Sequence, residues 1–369
     1  MPRRFRSSLL AVVLSLCALP ALAGGQQGHR RVEVAFVLDT TGSMADLIDG
    51  AKRKIWSIAN SIVDANPDAD IRMALIGYRD KGDDYVTDVH DMTGDIQALY
   101  GNLMRFQADG GGDRPESVNE ALDQAVHALG WSSDGETTKI IFLVGDAPPH
   151  MDYDNAPKYP EVLRDADQRG IVVNAVQAGD AYDTRQIWTD IAQRGHGRYI
   201  PIPQDGGQLV VLHSPYDDDI IILQRQLDET VVPYGDRVQQ KAVRGKVELR
   251  AAAPAAVQVD NSSFYSKRSV AREVVTGAGD LAGDIENGRQ SLDKVAEADL
   301  PDALKGKTPA ERQAYLDDIL AKRRAVQQKL ADLVKKRDVF VAAESAKPGN
   351  RKADGFDAAV QETLKVQIK

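Results

Sequence analysis

A run of apolar, β-branched residues that stops abruptly on an acid constrains this chain more than any other feature. Val32 to Leu38 form the run, and the loop Asp39-Thr40-Thr41-Gly42-Ser43 follows it directly. Such runs are typical of buried parallel strands, and α/β sheets bind ligands at the carboxyl ends of their strands. Asp39, Thr41 and Ser43 offer hard oxygen donors that suit Mg²⁺ or Mn²⁺. A helix N-cap uses the same residue types, so this loop alone decides nothing.

Two later segments carry similar signals. The segment GGGDRPES, from Gly110 to Ser117, is a glycine-rich loop with two acids. The segment KIIFLVGDAPPH, from Lys139 to His150, is a second apolar strand that ends on an acid, Asp146. Because the ends of parallel strands meet at one edge of a sheet, we expect the three segments to form one divalent-cation site.

Taken together and in this order, the three motifs resemble the von Willebrand factor A domain and its metal-ion-dependent adhesion site. The resemblance covers roughly Arg31 to Pro203. It implies a doubly wound α/β fold and a bound Mg²⁺ or Mn²⁺. The second loop lacks the commoner Thr and is similar to the Asp-x-Pro-Glu loop of integrin β subunits, which implies Glu116 as its ligand. The implied metal ligands are Asp39, Thr41, Ser43, Glu116 and Asp146.

The same similarity to integrin β subunits implies an accessory cation site, for Ca²⁺, beside the main site. By this similarity, Asp113 either supports the main site without being a ligand or belongs to the neighbouring Ca²⁺ site. It is equally well interpreted as a turn residue whose side chain bonds to the backbone of its own loop. His150 and Asp152 follow the third motif and are candidates for an accessory cation site or for the binding rim. The alternative, which we favour, is a solvated polar loop.

The main site would hold one dication among three carboxylates. This negative charge should weaken the attraction of the bound metal for an incoming acid.

Strand and helix patterns alternate from residue 31 to residue 203. A helical pattern covers Ala45 to Val63, a strand covers Ile71 to Tyr78, and Tyr85 to Met92 is typical of an antiparallel edge strand. The alternation continues through Lys139 to Val144 and Gly170 to Ala178. It predicts a mainly parallel, doubly wound sheet with helices on both faces.

Beyond Pro203 the pattern is helical. We expect connecting helices over residues 204–262, including one that packs back on the sheet, and a helical region over 263–369. Thr308-Pro309-Ala310-Glu311 is a helix start, and a seam with three-four spacing follows it. Arg323 and Arg337 interrupt the seam. We therefore predict a coiled-coil-like hairpin or a small helical bundle, whose arginines reach solvent or pair with acids such as Asp280, Asp284 or Glu286. This region resembles the helical C-terminal part of some exported bacterial proteins with an A domain.

Residues 1–23 have the pattern of a secretory signal peptide: Arg3, Arg4 and Arg6, an apolar segment, and the small-x-small sequence Ala21-Leu22-Ala23. We expect export to the periplasm or beyond. A lipoprotein would use Cys17, the single cysteine, but Leu16 precedes it where a small residue is wanted.

The net charge of −9 argues against nucleic acid as a partner. No later segment is apolar enough to span a membrane.

Two functions fit the sequence. The first is a non-enzymatic, metal-dependent binding module that coordinates an Asp or Glu of a protein partner. The second is a hydrolase that uses metal-activated water, for which His150 is the one candidate base. A zinc hydrolase is poorly supported, because the chain has no His-x-x-x-His pair. The sequence leaves the oligomeric state open.

Overall fold

A six-stranded sheet forms the centre of the protein in the computed structural model, which describes residues 31–207, 212–268, 273–347 and 355–368. The expected signal peptide lies outside these residues. The strands are β1 (Arg31–Asp39), β2 (Asp70–Tyr78), β3 (Thr87–Thr93), β4 (Thr138–Gly145), β5 (Ile171–Ala178) and β6 (His196–Ile202). Their order is β3-β2-β1-β4-β5-β6, and only the edge pair β2–β3 is antiparallel. The predicted α/β fold and its antiparallel edge strand are confirmed.

Helices cover both faces of the sheet. α1 (Ala45–Ala65) and α2 (Ile96–Arg105) pack on one face, and α3 (Val118–His127), α4 (Tyr159–Gln168) and α5 (Tyr182–Arg194) pack on the other. Successive strand side chains point to opposite faces. Accordingly, Val34 and Phe36 belong to the first core cluster, whereas Ala35 and Val37 belong to the second. β1 is therefore buried on both sides, as its mainly apolar sequence predicts, and Glu33, the one charged residue within the apolar run, pairs with Arg72.

The sheet changes its winding direction between β1 and β4. From β1 the chain proceeds to β2 and β3 on one side, and from β4 to β5 and β6 on the other. Such a switch point leaves a crevice at the carboxyl ends of the two central strands, where α/β proteins bind ligands. Asp39 is the last residue of β1, and Asp146 follows β4 directly.

Six α-helices follow the sheet in the part of the chain that the structure describes. They are α6 (Asp217–Asp228), α7 (Arg237–Ala252), α8 (Ala255–Lys267), α9 (Leu281–Glu286), α10 (Pro309–Ser345) and α11 (Gly355–Gln367). α10 begins with the capping box that the sequence predicts: the Thr308 side chain accepts from the Glu311 N–H, and the Glu311 carboxylate accepts from the Thr308 N–H. Within the described ranges, no helix is both long enough and apolar enough to cross a membrane.

α10 belongs to a helical bundle, which is one of the two predicted arrangements, and the other, a coiled-coil-like hairpin, is not formed by the described helices. It packs against α6, α8 and α9. The two seam arginines explain the difference, because they meet acids from separate helices. Buried Arg323 pairs with Asp280, one of the predicted partners, at 2.9 Å. Arg337 instead reaches Asp217 at 3.0 Å and Asp260 at 3.4 Å.

Two other expectations about this region are corrected. The helix expected to pack back on the sheet is α6, which packs against α8 and α10. The sheet domain is contacted instead by α8 and α11, which both pack on α1. The helical pattern expected across residues 263–285 stops at Lys267, and residues 273–280 are not helical. Gly277 and Gly279, with φ values of 80° and 116°, adopt left-handed backbone that does not continue a helix.

Candidate metal centre

The first loop begins where β1 ends and gathers its polar groups tightly. Asp39 Oδ1 accepts hydrogen bonds from the Thr41 amide N–H at 2.9 Å and from the Thr41 hydroxyl at 2.7 Å. The Thr41 and Ser43 hydroxyl oxygens lie 3.3 Å apart. Asp39 is fully buried, and its other oxygen, Oδ2, has no hydrogen-bond partner among the described residues. The three ligands predicted from this loop are therefore brought together.

Two glycines let the second loop run close to the first. The Gly42 N–H donates to the Gly110 carbonyl at 3.2 Å. Gly110 and Gly111 have φ values of 74° and 77°, a left-handed backbone that favours glycine. A Cβ on Gly111 would stand 2.9 Å from the Thr41 Cβ. A side chain at this position would therefore push the two loops apart.

The backbone of Glu116 is hydrogen-bonded to the third loop. Its N–H donates to the Pro148 carbonyl at 3.0 Å, and its carbonyl accepts from the His150 N–H at 3.1 Å. The residue is only 4% exposed. Its Oε2 atom is a second buried carboxylate oxygen without a hydrogen-bond donor in the part of the chain that is described.

Asp146 is held from two sides. The Gln204 amide donates from Nε2 to Asp146 Oδ2 at 2.7 Å, and the Thr184 hydroxyl donates to the Asp146 backbone carbonyl at 3.1 Å. Gln204 lies just after β6, and Thr184 lies in α5. The segment after β6 and the helix α5 thus hold the Asp146 side chain and backbone in place.

These loops surround an open cleft of about 310 Å³. Four of the five predicted ligands line it, namely Thr41, Ser43, Glu116 and Asp146. The fifth, Asp39, is hydrogen-bonded to Thr41 in its wall. The remaining lining includes Asp113, Arg114, Asp180 and Gln204. The structure therefore brings the whole predicted ligand set to one cleft at the switch point.

The carboxylates are costly to ionise at this position. Burial raises the pKa of Asp39 to about 7, and the Asp146 carboxylate adds to the rise, while hydrogen bonds from Thr41 oppose it. Burial also raises the pKa of Glu116 to about 9. Negative charges around Glu116 raise its pKa further, and they belong to Asp39, Asp80, Asp146 and Asp83.

This arrangement fits a divalent cation. Two buried carboxylate oxygens receive no hydrogen bond from any residue in the described ranges, and two hydroxyl oxygens and a further carboxylate lie beside them. Unpaired charges in such a position are strongly unfavourable unless an opposite charge compensates them. An all-oxygen donor set with three carboxylates suits Mg²⁺ or Mn²⁺ and does not suit a thiophilic metal.

A second cluster lies on the other side of Glu116. Asp80, Asp113 and His150 each offer a ligand atom, and these atoms lie within 4.8 Å of one another. His150 Nε2 is 3.3 Å from Asp80 Oδ2 and makes no hydrogen bond to a described residue. Two of the three candidate accessory residues, Asp113 and His150, are thus brought together.

The solvated-loop interpretation of His150 is wrong. His150 is only 4% exposed, because its ring stacks on Tyr153 with the ring centroids 4.0 Å apart. Asp152 does not join the cluster. Its carboxylate contacts the opposite ring nitrogen, Nδ1, at 2.8 Å. This contact lowers the pKa of Asp152 and orients the imidazole, as partners of metal-binding histidines commonly do.

Sequence reasoning missed Asp80 and Gln204. Asp80 carries the same signal as Asp39 and Asp146, because it lies two residues beyond the end of β2. Its carboxylate accepts hydrogen bonds from the Ser117 hydroxyl at 2.8 Å and from the Tyr153 hydroxyl at 3.0 Å. Gln204 carries no comparable signal, since it lies in an ordinary turn after an edge strand.

Comparisons with known proteins agree with this geometry. The von Willebrand factor A domain family model matches residues 33–213. The von Willebrand factor A domain-containing protein 7 of Rattus norvegicus is 31% identical over 148 residues, which are 38% of this chain and 15% of that protein. A putative ariadne-like RING finger protein, R811, of Acanthamoeba polyphaga mimivirus is 29% identical over 119 residues, which are 32% of this chain and 11% of that protein. The chain therefore spans less than a sixth of the length of these relatives.

Two solved structures are also similar to this chain. The SpRpn10 VWA domain matches with 14% identity and a TM-score of 0.36, over 47% of this chain and 88% of that one. Proximal thread matrix protein 1 from the mussel byssus matches with 14% identity and a TM-score of 0.35, over 48% and 43%. The family match and the switch-point cleft together identify residues 33–213 as a von Willebrand factor A domain.

Proposed function

We propose that this protein is an exported, non-enzymatic binding module whose cleft holds Mg²⁺ or Mn²⁺ and coordinates an acidic residue of a protein partner. One observation carries the proposal: Asp39 Oδ2 and Glu116 Oε2 are buried carboxylate oxygens that no described residue reaches with a hydrogen-bond donor, beside a cleft lined by hydroxyl ligands. The bound cation would supply an electrophile for a partner's carboxylate. Asp39, Thr41, Ser43, Glu116 and Asp146 would hold it.

Binding is favoured over hydrolysis by the position of His150. A general base must lie within hydrogen-bond reach of the reacting water, directly or through one further water. His150 does not line the cleft; its Nε2 faces Asp80, and its Nδ1 is engaged by Asp152. The one base that the sequence offers for hydrolysis thus serves the second cluster.

The second cluster supports an accessory cation in this proposal. Asp80, Asp113 and His150 would hold it, beside Glu116. A neutral imidazole that donates Nδ1–H to Asp152 leaves the Nε2 lone pair facing the two aspartates. An imidazole ligand favours Mn²⁺ or Zn²⁺ over the Ca²⁺ that the resemblance to integrins implies.

Calorimetric titration of chelator-treated protein with Mg²⁺ and Mn²⁺ tests both sites. Wild type should bind Mg²⁺ at the main site, and Asp39→Ala should abolish this step. Asp113→Asn, which changes an exposed residue, should remove the accessory Mn²⁺ step and keep the main one. Asp332→Ala, an exposed aspartate of α10, is the matched control. Wild-type protein that takes up neither cation at millimolar concentration would refute the metal-dependent mechanism.

Export requires its own test. Protein isolated from its host should begin at Gly24, after the Ala21-Leu22-Ala23 sequence. Mass spectrometry of the intact chain measures this directly. A chain that retains Met1 in the host would contradict export by this signal.

A further inference from the structure

Arg114 is anchored in the wall of the cleft with part of its guanidinium unused. Its Nη2 atom donates to Asp183 Oδ1 at 2.7 Å and to the Thr184 hydroxyl at 2.6 Å. These two bonds use both Nη2 hydrogens. The Nε–H and the two Nη1–H groups have no partner among the described residues, although a guanidinium has five donors in all. A fixed cation with three free donors therefore borders the cleft.

The Arg114 guanidinium lies among acidic residues. Among the described residues that line the cleft, Arg114 is the only cation, whereas four acids line it: Asp113, Glu116, Asp146 and Asp180. Asp39 adds a fifth carboxylate in the wall. A single dication neutralises only part of this charge, so a partner's carboxylate meets an environment that remains acidic. Arg114 supplies positive charge in the wall of the cleft, where 46% of its side chain is exposed.

The anchor also reduces the entropic cost of recognition. An arginine that is free in solvent loses considerable rotamer freedom when it binds. Here Asp183 and Thr184 already hold the guanidinium, and the fully buried Thr184 also bonds to the Asp146 carbonyl at 3.1 Å. The Arg114 side chain is thus tied to the backbone of a predicted metal ligand while its free donors stay accessible, with 46% of the side chain exposed.

We infer that Arg114 is a specificity-determining residue that donates a charge-assisted hydrogen bond to the partner carboxylate coordinated by the cation. This inference rests on the proposed function. It selects an anionic side chain, Asp or Glu, over the neutral Asn or Gln. It also accounts for how a site with three carboxylate ligands retains affinity for an acid.

Water-proton relaxation of the Mn²⁺-loaded full chain tests this inference. A carboxylate that binds the metal displaces a metal-bound water molecule, and the relaxation enhancement of the solvent then falls. The probe is N-acetyl-aspartate amide, and N-acetyl-asparagine amide is the neutral comparison. Wild type should respond to the aspartate probe and not to the asparagine probe. Arg114→Ala should weaken the response by about tenfold or more, as expected for a lost hydrogen bond between charged groups. Mn²⁺ affinity, from the same titrations, should stay within about twofold.

Two further variants separate recognition from structure. Arg114→Lys keeps the charge and should retain most of the aspartate response. Arg164→Ala, which removes an exposed arginine of α4 outside the cleft, should behave as wild type. If Arg114→Ala loses Mn²⁺ affinity in proportion to aspartate affinity, the residue only shapes the loop and the inference is overturned. An unchanged aspartate response in Arg114→Ala overturns it as well. Wild type that binds no Mn²⁺ refutes the proposed function itself, which is a distinguishable result.

Discussion

Asp39 and Glu116 are carboxylates placed where ionisation destabilises the fold, which makes stability depend on pH. Their folded pKa values, about 7 and about 9, lie above the ordinary values of 3.8 and 4.5. The folded, metal-free chain therefore binds more protons than the unfolded chain between about pH 4 and pH 9, so its free energy of unfolding should fall as pH rises through that window. Below about pH 4 both states are protonated and this loss is absent.

Denaturant unfolding in chelator from pH 5 to pH 9 measures the effect. Saturating Mg²⁺ should remove most of the decline, because the cation favours the ionised carboxylates. The pair of substitutions Asp39→Asn and Glu116→Gln should flatten the profile without any metal. A wild-type profile that is flat in chelator, or that rises with pH, would show that these two groups ionise freely in the folded state.

At the scale of single residues, position along the chain predicted most of the main site. Asp39 and Asp146 were recognisable because each follows an apolar strand, and the resemblance to the integrin loop singled out Glu116. Burial of His150 was not predictable, because it comes from stacking on Tyr153 and from contact with Asp80, which lies on another strand end. Local sequence gives no information about such a partner.

At the scale of elements, the GGGDRPES loop depends on glycine at positions 110 and 111 and not at position 112. Gly111→Ala puts a Cβ against Thr41 and retains a φ of 77°, which costs about 1–2 kcal/mol for a residue with a side chain. We expect lower stability and weaker Mg²⁺ binding. Gly112→Ala is the control, because a Cβ there meets no atom within 4 Å. Equal Mg²⁺ affinities for the two variants, by calorimetry, would contradict this account of the loop.

The α10 helix contains a matched pair of arginines with opposite burial. Arg323 is fully buried against Asp280, so Arg323→Met leaves a buried carboxylate uncompensated and should cost about 3–5 kcal/mol. Arg324→Met removes an arginine whose side chain is 60% exposed from its pair with Glu286, and it should cost less than the Arg323 substitution because solvent screens this charge. Denaturant unfolding of both variants provides the comparison. Similar losses for the two would mean that burial does not set the contribution of these ion pairs.

The start of α10 was predictable from four residues, but its packing was not. The capping box defines where a helix begins from local chemistry alone. The three-four spacing reports that one face is apolar, and it does not report which helices cover that face. The spacing therefore left a two-helix hairpin and a small bundle open, and Arg323 and Arg337 show that several helices share the seam.

At the scale of the whole molecule, the C-terminal helices complete the core of the α/β domain. Trp56 of α1 lies with its ring centroid 5.5 Å from that of Phe264 in α8. Val360, Leu364 and Ile368 join the same core cluster. The composition shift at Pro203 therefore marks a change of secondary structure and does not mark the edge of the core. Sequence periodicity could not reveal this, because the contacts join residues about 200 to 300 positions apart.

Leu364→Ala tests whether the last helix stabilises the domain. The side chain is fully buried, and a buried Leu→Ala change costs about 2–5 kcal/mol. Val366→Ala, at a side chain that is 54% exposed, should cost less than about 0.5 kcal/mol. The readout is cooperative unfolding followed by tryptophan fluorescence. A Leu364→Ala protein as stable as the Val366→Ala protein would indicate that this helix contributes nothing to the folded core.

The short bridge between Glu116 and the third loop makes the two candidate cation sites thermodynamically dependent on each other. The Glu116 side chain belongs to the main site, and the neighbouring backbone bond holds His150, whose ring serves the second cluster. A cation at either site must therefore alter the same pair of loops. By reciprocity, the factor by which one ion changes the affinity of the other is identical in both directions. Where both sites bind cations, the ion concentration that half-saturates one site would depend on whether the other is occupied, and the surface offered to a partner would depend on both ions.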